Sequence, residues 1–316
     1  MAFIEEMAEQ PRVLQELITH WPGQGDVLRQ KVTNASGRPV VFLGMGSSYF
    51  AGLYGAWLLN RHGVPALAVE ASLALEDAAA LLQEAGLWVL VSQSGASPEV
   101  LELAEQGQKN NVIGITNEPA SRLTQYRFPI VALDAGHEEA TTSKTYLNTL
   151  AVMALLSGVA LERVARLPGV IEQLLSQRMT LFCAPNEVTL IARGPSLTSA
   201  YQGSLILREG ANVTATGFSG AGFRHGPLQW GYNRDIILFN GFGRYRELQM
   251  RLHRDLEVQG NRIHQIGMDC ADWVLPKVHD DLLPLAEIII IERLLVSWAL
   301  EKGLEPGKLA HKVSCE

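Results

Sequence analysis

Short apolar runs alternate with helix-patterned segments along most of the chain, and this alternation restricts the possible folds strongly. In the first half, segments with helical spacing separate apolar runs at 40–43, 66–69, 88–91, 112–115 and 130–133. The alternation resumes in the second half, with runs at 188–192, 212–216, 236–239 and 262–266. Apolar strands joined through helices are typical of parallel sheets covered by helices on both faces. The sequence therefore predicts an α/β protein with two doubly wound parallel-sheet domains in tandem.

The predicted domain boundaries follow changes in this pattern. An amphipathic helix over 3–20, interrupted near Pro11, precedes a turn at 22–25. A length of 316 residues fits two domains of roughly 100–200 residues each. We predict an N-terminal helical segment, a first domain, a helical linker and a second domain with a C-terminal tail, at 1–24, 25–160, 161–185 and 186–316.

Composition excludes several classes of protein. Apolar residues make up 47% and charged residues 19% of the chain, which suffices for a large core. The net charge is −7 and no basic run occurs, so we expect no nucleic-acid partner. The most apolar stretch, 282–300, contains three charged residues, so we expect no membrane span.

The cysteines and the N-terminus indicate the compartment. Three cysteines without CxxC spacing are typical of reduced thiols. The N-terminus lacks the basic and apolar segments of a secretory leader. We therefore expect a cytoplasmic protein. Because HExxH and zinc-type cysteine clusters are absent from the sequence, we expect no metal and no other cofactor.

A polar loop follows the predicted strand at 88–91. It contains Ser92, Gln93, Ser94 and Ser97, and a helix is predicted to begin at Pro98. Backbone N–H groups and the helix dipole favour an anion at such a place, and hydroxyls add donors. A helix cap formed by Ser97 and Pro98 is the alternative, but a cap does not require the other three residues.

Two more loops follow strands in the first half. Residues 44–49 contain Ser47 and Ser48, which either cap the next helix or add hydroxyls to the same anion-binding site. Their spacing is not GxGxxG, and no GxxxxGK[ST] motif occurs, which argues against dinucleotides and nucleoside triphosphates. Residues 135–144 are interpreted either as a helix cap or as a third loop of the same pocket.

Two titratable residues in the second half are candidates for proton transfer. Glu209 ends an apolar helical stretch, so we expect its carboxylate to be partly desolvated, which suits a general base. His225 lies in a glycine-rich loop. A solvated helix-end glutamate and a plain loop histidine are the alternatives.

These motifs together resemble those of tandem sugar-isomerase (SIS) domain proteins. Over about 25–316 the chain is similar to the isomerase half of glucosamine-6-phosphate synthase and to shorter phosphosugar deaminases, isomerases and deglycases. The matching motifs are Leu43-Gly44-Met45-Gly46-Ser47-Ser48, Ser92-Gln93-Ser94-Gly95-Ala96-Ser97, Ala135-Gly136-His137-Glu138 with Lys144, Arg208-Glu209, Arg224-His225-Gly226-Pro227-Leu228 and Leu309-Ala310-His311-Lys312-Val313-Ser314.

The resemblance implies a set of roles on a sugar 6-phosphate. The phosphate would be held by Ser48, Ser92, Gln93, Ser94 and Ser97, and the sugar hydroxyls would contact Ser47, Thr142 and Ser143. Glu209 would move a proton between C1 and C2, and His225 would assist ring opening. Lys312 would reach the open-chain sugar, although alignment from the C-terminus puts His311 at that position. The family also implies a homodimer in which His225 completes the neighbouring site.

The chain departs from the synthase at informative positions. Residue 2 is alanine rather than a nucleophilic cysteine, and we expect no glutaminase domain. Ile206 stands where the synthase has a lysine, and Ala96 replaces an acidic residue. The resemblance therefore predicts an isomerase, deaminase or deglycase acting on an amino-sugar 6-phosphate or an N-substituted fructose 6-phosphate. A non-catalytic sugar-phosphate-binding regulator is the main alternative, and a dimer with decayed chemistry is a further one.

Overall fold

The computed structural model describes residues 1–23, 25–35, 37–107 and 111–309, which form two compact units. The first-sheet unit comprises Arg12–Glu138 and Lys144–Ala165. The second-sheet unit comprises Met1–Pro11, Glu139–Ser143 and the described residues from Arg166 onward. The predicted domain boundaries stay predictions. None of the described helices combines the length and apolarity needed to cross a membrane.

The described elements alternate between helix and strand. The α-helices are α1 (Ala2–His20), α2 (Gly25–Thr33), α3 (Gly46–Arg61), α4 (Ala71–Asp77), α5 (Ala79–Glu84), α6 (Pro98–Gly107), α7 (Lys144–Leu156), α8 (Leu161–Val164), α9 (Leu167–Ser176), α10 (Leu197–Ala211), α11 (Gly220–Arg224), α12 (Gly243–Val258) and α13 (Leu283–Glu301). The strands are β1 (Val40–Gly44), β2 (Ala66–Glu70), β3 (Leu87–Val91), β4 (Val112–Thr116), β5 (Ile130–Ala132), β6 (Glu187–Ala192), β7 (Thr214–Ser219), β8 (Asp235–Phe239), β9 (Arg262–Gly267) and β10 (Trp273–Val274). Short 3₁₀ helices lie at Trp21–Gly23, Arg122–Gln125, Gly194–Ser196, Pro227–Gln229 and Asp280–Leu282.

The first sheet is parallel, with strand order β2-β1-β3-β4-β5. Every residue of β1, β3 and β4 is buried, whereas no residue of the edge strand β2 is fully buried. Inner strands covered on both faces need continuous apolar sequences, which is what these three strands have. The order reverses between β1 and β3, so a crevice opens beyond their carboxyl ends.

The second sheet is also parallel, with strand order β7-β6-β8-β9-β10. Its order reverses between β6 and β8, as the first reverses between β1 and β3. The predicted α/β class with parallel sheets is therefore confirmed. The assignment of the second sheet to a second SIS domain stays a prediction.

Three local features of the structure differ from the sequence analysis. The strand predicted at 212–216 begins only at Thr214, because Asn212 ends α10 in the left-handed conformation, with φ +48°. The two-residue strand β10 was not predicted. The expected interruption at Pro11 is wrong: α1 is continuous, and its buried apolar face offsets an interior-proline cost of about 3 kcal/mol.

Candidate functional site

Two predicted ligand loops leave adjacent strand ends in the first sheet. The last residues of β1 and β3, Gly44 and Val91, are paired in register. A Cβ atom on Gly44 would lie 2.7 Å from the Ser48 Cβ and 3.0 Å from the Val91 carbonyl oxygen. Glycine at this position therefore lets the loop containing Ser47 and Ser48 approach the end of β3. The structure brings both polar loops together at the point where the strand order reverses.

The backbone of the loop after β3 is held by neighbouring segments. The Ser92 N–H donates to the carbonyl of Ile115 at 3.0 Å. The Gln93 carbonyl accepts from the Asn117 N–H at 2.9 Å and from the Thr116 hydroxyl at 3.1 Å. These bonds tie the loop to the end of β4, so it is ordered before any ligand arrives.

Glycine is required at the centre of this loop. Gly95 has φ +58°, in the left-handed region that favours glycine. A Cβ atom there would lie 2.1 Å from the Ser121 Oγ. The Gly95 carbonyl also accepts the Leu123 N–H at 3.0 Å. Both the backbone angle and the close packing therefore depend on the absence of a side chain.

The polar side chains of the two loops differ in what they bond. The Ser92 and Ser97 hydroxyls lie 3.0 Å apart, and the Ser94 hydroxyl accepts the Ala96 N–H at 3.3 Å. Among the described residues, the half-buried side chains of Ser47, Ser48 and Gln93 have no hydrogen-bond partner. These three side chains are therefore available to a ligand.

The alternative that Ser47 or Ser48 caps α3 is wrong. The N-cap position is Met45, and no side chain caps the helix there. The N-terminus of α3 is thus left with unsatisfied N–H groups beside two hydroxyls, an arrangement that favours an anion. Helix α6 does begin at Pro98, as predicted.

The third loop, 135–144, serves partly as a helix cap. The Glu138 carboxylate accepts the backbone N–H of Thr145 at 3.2 Å and also its hydroxyl, at the start of α7. Asn117 fixes the loop by donating to the Gly136 carbonyl at 2.7 Å. For Glu138, the capping interpretation is therefore favoured.

Glu209 lies in the last turn of α10 and is exposed. The expectation of a partly desolvated carboxylate is wrong, because this turn of α10 faces outward at residues 208 and 209. The Thr141 hydroxyl donates to the Glu209 carboxylate at 2.5 Å. Thr141 is itself buried, and its N–H donates to the Gly307 carbonyl at 2.8 Å.

Thr141 is a contact of the candidate base Glu209 that the motifs did not single out. The resemblance pointed to Thr142 and Ser143, of which Thr142 is half-buried and Ser143 is fully buried. The run of three hydroxyl residues at 141–143 was the available signal, but it does not say which hydroxyl meets Glu209.

His225 is exposed and follows the short helix α11. The Ser219 hydroxyl caps this helix by accepting the Gly222 N–H at 2.9 Å, and Phe223 anchors it as a fully buried side chain. No hydrogen bond or ion pair between His225 and Glu209 occurs among the described residues. The tail candidates Lys312 and His311 lie outside the described residues.

Comparison with known proteins links the first sheet to one family. Residues 35–158 match the family model of the SIS domain. Over 99% of its length, the chain is 27% identical to the isomerizing glutamine–fructose-6-phosphate aminotransferase of Bacillus licheniformis. The match covers 58% of that protein, so the chain spans little more than half the length of this relative.

Solved structures share the fold over nearly the whole chain. Tagatose-6-phosphate ketose/aldose isomerase from Escherichia coli has a TM-score of 0.83 at 17% identity, covering 99% of this chain and 98% of that one. Glucosamine-6-phosphate deaminase from Thermotoga maritima has a TM-score of 0.75 at 21% identity, covering 98% of each chain. Residues 35–158 are therefore similar to the SIS domain, and the chain has the fold of these two proteins over nearly its full length.

Proposed function

We propose that this chain is a phosphosugar aldose–ketose isomerase or deaminase/deglycase acting on an amino-sugar 6-phosphate or N-substituted fructose 6-phosphate. The observation that carries the proposal is the loop after β3. Its backbone is hydrogen-bonded to the end of β4, and its side chains offer hydroxyl and amide donors. The loop lies where the strand order of the first sheet reverses, within the residues that match the SIS-domain model. The names of the Bacillus licheniformis relative and of the Escherichia coli and Thermotoga maritima proteins support a phosphosugar substrate.

The proposed binding roles follow the two polar loops. The phosphate is held by Ser48, Ser92, Gln93, Ser94 and Ser97, together with the N–H groups at the start of α3. Ser47 and the Thr142–Ser143 segment contact sugar hydroxyls. Hydroxyl and amide donors suit a phosphate because each can donate to a charged oxygen, which strengthens the hydrogen bond.

Glu209 is the proposed general base. It takes the proton from C2 of the open-chain aldose and returns it to C1 through an enediol or enolamine. For a 2-amino sugar the product of this transfer is an imine at C2, which water hydrolyses to the ketose and ammonia. The Thr141 hydroxyl holds the carboxylate by its hydrogen bond.

Two further groups complete the proposed chemistry. His225 passes a proton to the ring oxygen during ring opening. Lys312 contacts the open-chain sugar from the tail. We also propose that the protein is a homodimer in which His225 of the partner subunit serves each site, and that the second sheet forms a second SIS domain.

A substrate screen tests this proposal. The purified chain is incubated with glucosamine 6-phosphate, galactosamine 6-phosphate, fructose 6-phosphate and fructosamine-type 6-phosphates, and ammonia release, isomer formation and thermal stabilisation are read together. We expect turnover of one compound, and a fall in kcat of about 10²- to 10⁴-fold in Glu209→Gln with binding retained.

Matched variants separate binding from chemistry. Ser94→Ala should weaken stabilisation by the phosphosugar, whereas Ser176→Ala, which removes an exposed hydroxyl on α9, should not. Glu172→Gln, an exposed glutamate on the same helix, should leave kcat unchanged. Stabilisation by a phosphosugar without turnover of any would instead favour a regulatory protein.

A further inference from the structure

A cleft of about 410 Å³ in the second-sheet unit is lined mainly by arginines. Its lining residues are Arg224 at the end of α11 and Leu248, Arg251, Arg254 and Asp255 on α12, and we call this the arginine cleft. Three guanidinium groups thus face one carboxylate. The cleft volume lies within the range of small-molecule pockets, roughly 300–1,000 Å³.

Among the residues that the structure describes, only one of these arginines forms an ion pair. Arg224 forms an ion pair with Asp255 at 2.5 Å. Arg251 and Arg254 are exposed and have no hydrogen bond or ion pair with any residue that the structure describes. They stand three positions apart on α12, a spacing at which like charges repel and destabilise the helix.

Three other arginines of this unit form ion pairs with carboxylates. Arg246 pairs with Asp269, Arg234 with Glu187 and Arg262 with Asp235. Carboxylates are plentiful in a chain with a net charge of −7, yet Arg251 and Arg254 have no such partner within the described part of the chain. The lining of the cleft therefore carries three positive charges against the one negative charge of Asp255.

A fourth arginine adds to this charge. Arg193 follows β6, and its Nε donates to the Gln249 side-chain oxygen at 3.2 Å, without a described carboxylate partner. A Cβ atom on Gly220 would lie 2.7 Å from that Nε, so glycine there makes room for the guanidinium. Burial lowers the pKa of Arg193, and the neighbouring charge of Arg224 lowers it further.

We propose that the arginine cleft binds the phosphate group of a small phosphorylated molecule, at a site separate from the loop after β3. The planar guanidinium groups of Arg251 and Arg254 match phosphate oxygens in geometry and charge. Leu248 supplies an apolar contact for the remainder of the ligand. The net charge of −7 and the small volume of the cleft argue for a small molecule rather than a long polyanion.

Occupancy of the cleft has a consequence for the neighbouring loop. A bound phosphate competes with Asp255 for Arg224, and Arg224 directly precedes His225. The ligand therefore alters turnover as well as binding. This consequence rests on the proposed function of His225, whereas phosphate binding does not.

Phosphate binding to the full chain tests the site independently of catalysis. Inorganic phosphate is titrated calorimetrically in chloride buffer into the wild type and into Ser94→Ala/Ser97→Ala. The double variant is made to weaken phosphate binding at the loop after β3. We expect two classes of site in the wild type and retention of the cleft site in this double variant. A wild type that binds no phosphate, or only phosphate that the serine variant loses, would overturn the proposal.

Cleft variants identify the arginines responsible. Arg251→Ala/Arg254→Ala should lose the second class, with affinity lowered by at least about tenfold. Arg244→Ala removes one positive charge from an exposed position of α12 outside the cleft and should change neither class. Asp255→Ala should tighten binding, because it removes the competing carboxylate. Arg251→Gln/Arg254→Gln is made as a folding control and should lose the same phosphate site. If either double variant keeps the second class of phosphate site, the site does not lie in the arginine cleft.

Turnover provides the second readout. With a substrate in hand, phosphate should change kcat in the wild type but not in Arg251→Ala/Arg254→Ala, whose basal kcat should match the wild type. If calorimetry shows the site but no substrate is turned over, the proposed function fails while the phosphate site stands.

Discussion

Glu209 and Thr141 show how a single side-chain contact changes the interpretation of a candidate base. A carboxylate exposed on the last turn of a helix is free to adopt many rotamers. The buried Thr141 hydroxyl fixes it through a short hydrogen bond and leaves the second carboxylate oxygen for chemistry. The sequence predicts a desolvated Glu209 carboxylate, whereas the structure shows an exposed carboxylate that a hydrogen bond orients.

Thr141→Val tests this role at the residue scale. Valine keeps the shape but cannot donate to Glu209, so the base is held less well. We expect kcat to fall by about 10-fold with little change in KM, as for a misplaced general base. Steady-state kinetics on the substrate found in the screen measures both constants.

Thr141→Ser provides the matched control. Because serine restores the donor, it should recover most of kcat. An equal loss in the serine and valine variants would mean that Thr141 acts through packing alone.

At the scale of elements, a buried carboxyl joins α10 to α13. Glu287 on α13 is fully buried and accepts hydrogen bonds at 2.7 Å from the Ser196 and Ser199 hydroxyls. Burial raises the pKa of Glu287 from 4.5 to about 7, although both hydroxyls oppose the rise. The charge of this buried carboxyl therefore changes with pH in the neutral range.

Glu287→Gln should remove this pH dependence. The folded pKa lies above the unfolded value, so the unfolded chain releases this proton first. The free energy of unfolding of the wild type then falls as pH rises from 4.5 to about 7, and levels off above that range. Relative to wild type, the variant should gain roughly 2–3 kcal/mol between pH 5 and pH 8.

Urea unfolding at several pH values between 5 and 8 measures this gain. The exposed Glu172→Gln serves as control, and its stability difference from wild type should not change with pH. A Glu287→Gln difference that stays constant from pH 5 to 8 would show that Glu287 is ionised throughout.

At the scale of the whole molecule, the two sheets share one connectivity. In each, the first strand lies between the second and third, and the fourth and fifth follow outward. In the first sheet the crevice at the reversal point holds the serine loops. In the second, Gln249 donates to the Ile191 and Phe239 carbonyls at the ends of β6 and β8. At the reversal point of the strand order, the first sheet thus carries polar serine loops, whereas the second carries the buried side-chain amide of Gln249.

The proposed homodimer leads to a complementation prediction. If each site uses Glu209 of one subunit and His225 of the partner subunit, mixed dimers of Glu209→Gln and His225→Asn contain one intact site. Random reassortment makes half the dimers mixed, so about a quarter of wild-type activity should return. Activity is measured after the two inactive variants are unfolded together and refolded.

A site contained within one subunit gives the opposite result, since every subunit in the mixture carries one defect. Each variant refolded alone is the control and should stay inactive. A particle of monomer mass with full activity would also exclude the shared site.

The sequence by itself determined the α/β class, most strands and the loop at 92–97. These depend on local patterns: continuous apolar strands, glycine and polar residues at strand ends, and proline at a helix start. The register of β1 with β3 then places Ser48 near Ser92, as the order of strands implies.

Only the tertiary structure decided which groups meet over long separations. Thr141 and Glu209 are 68 residues apart, and Ser196 and Glu287 are 91 apart, so no local pattern records either contact. The same holds for the arginine cleft, where Arg224 at the end of α11 lies beside Arg251, Arg254 and Asp255 of α12. Local sequence fixes backbone preference and hydrophobic face, whereas the pairing of polar groups depends on packing among elements far apart in the chain.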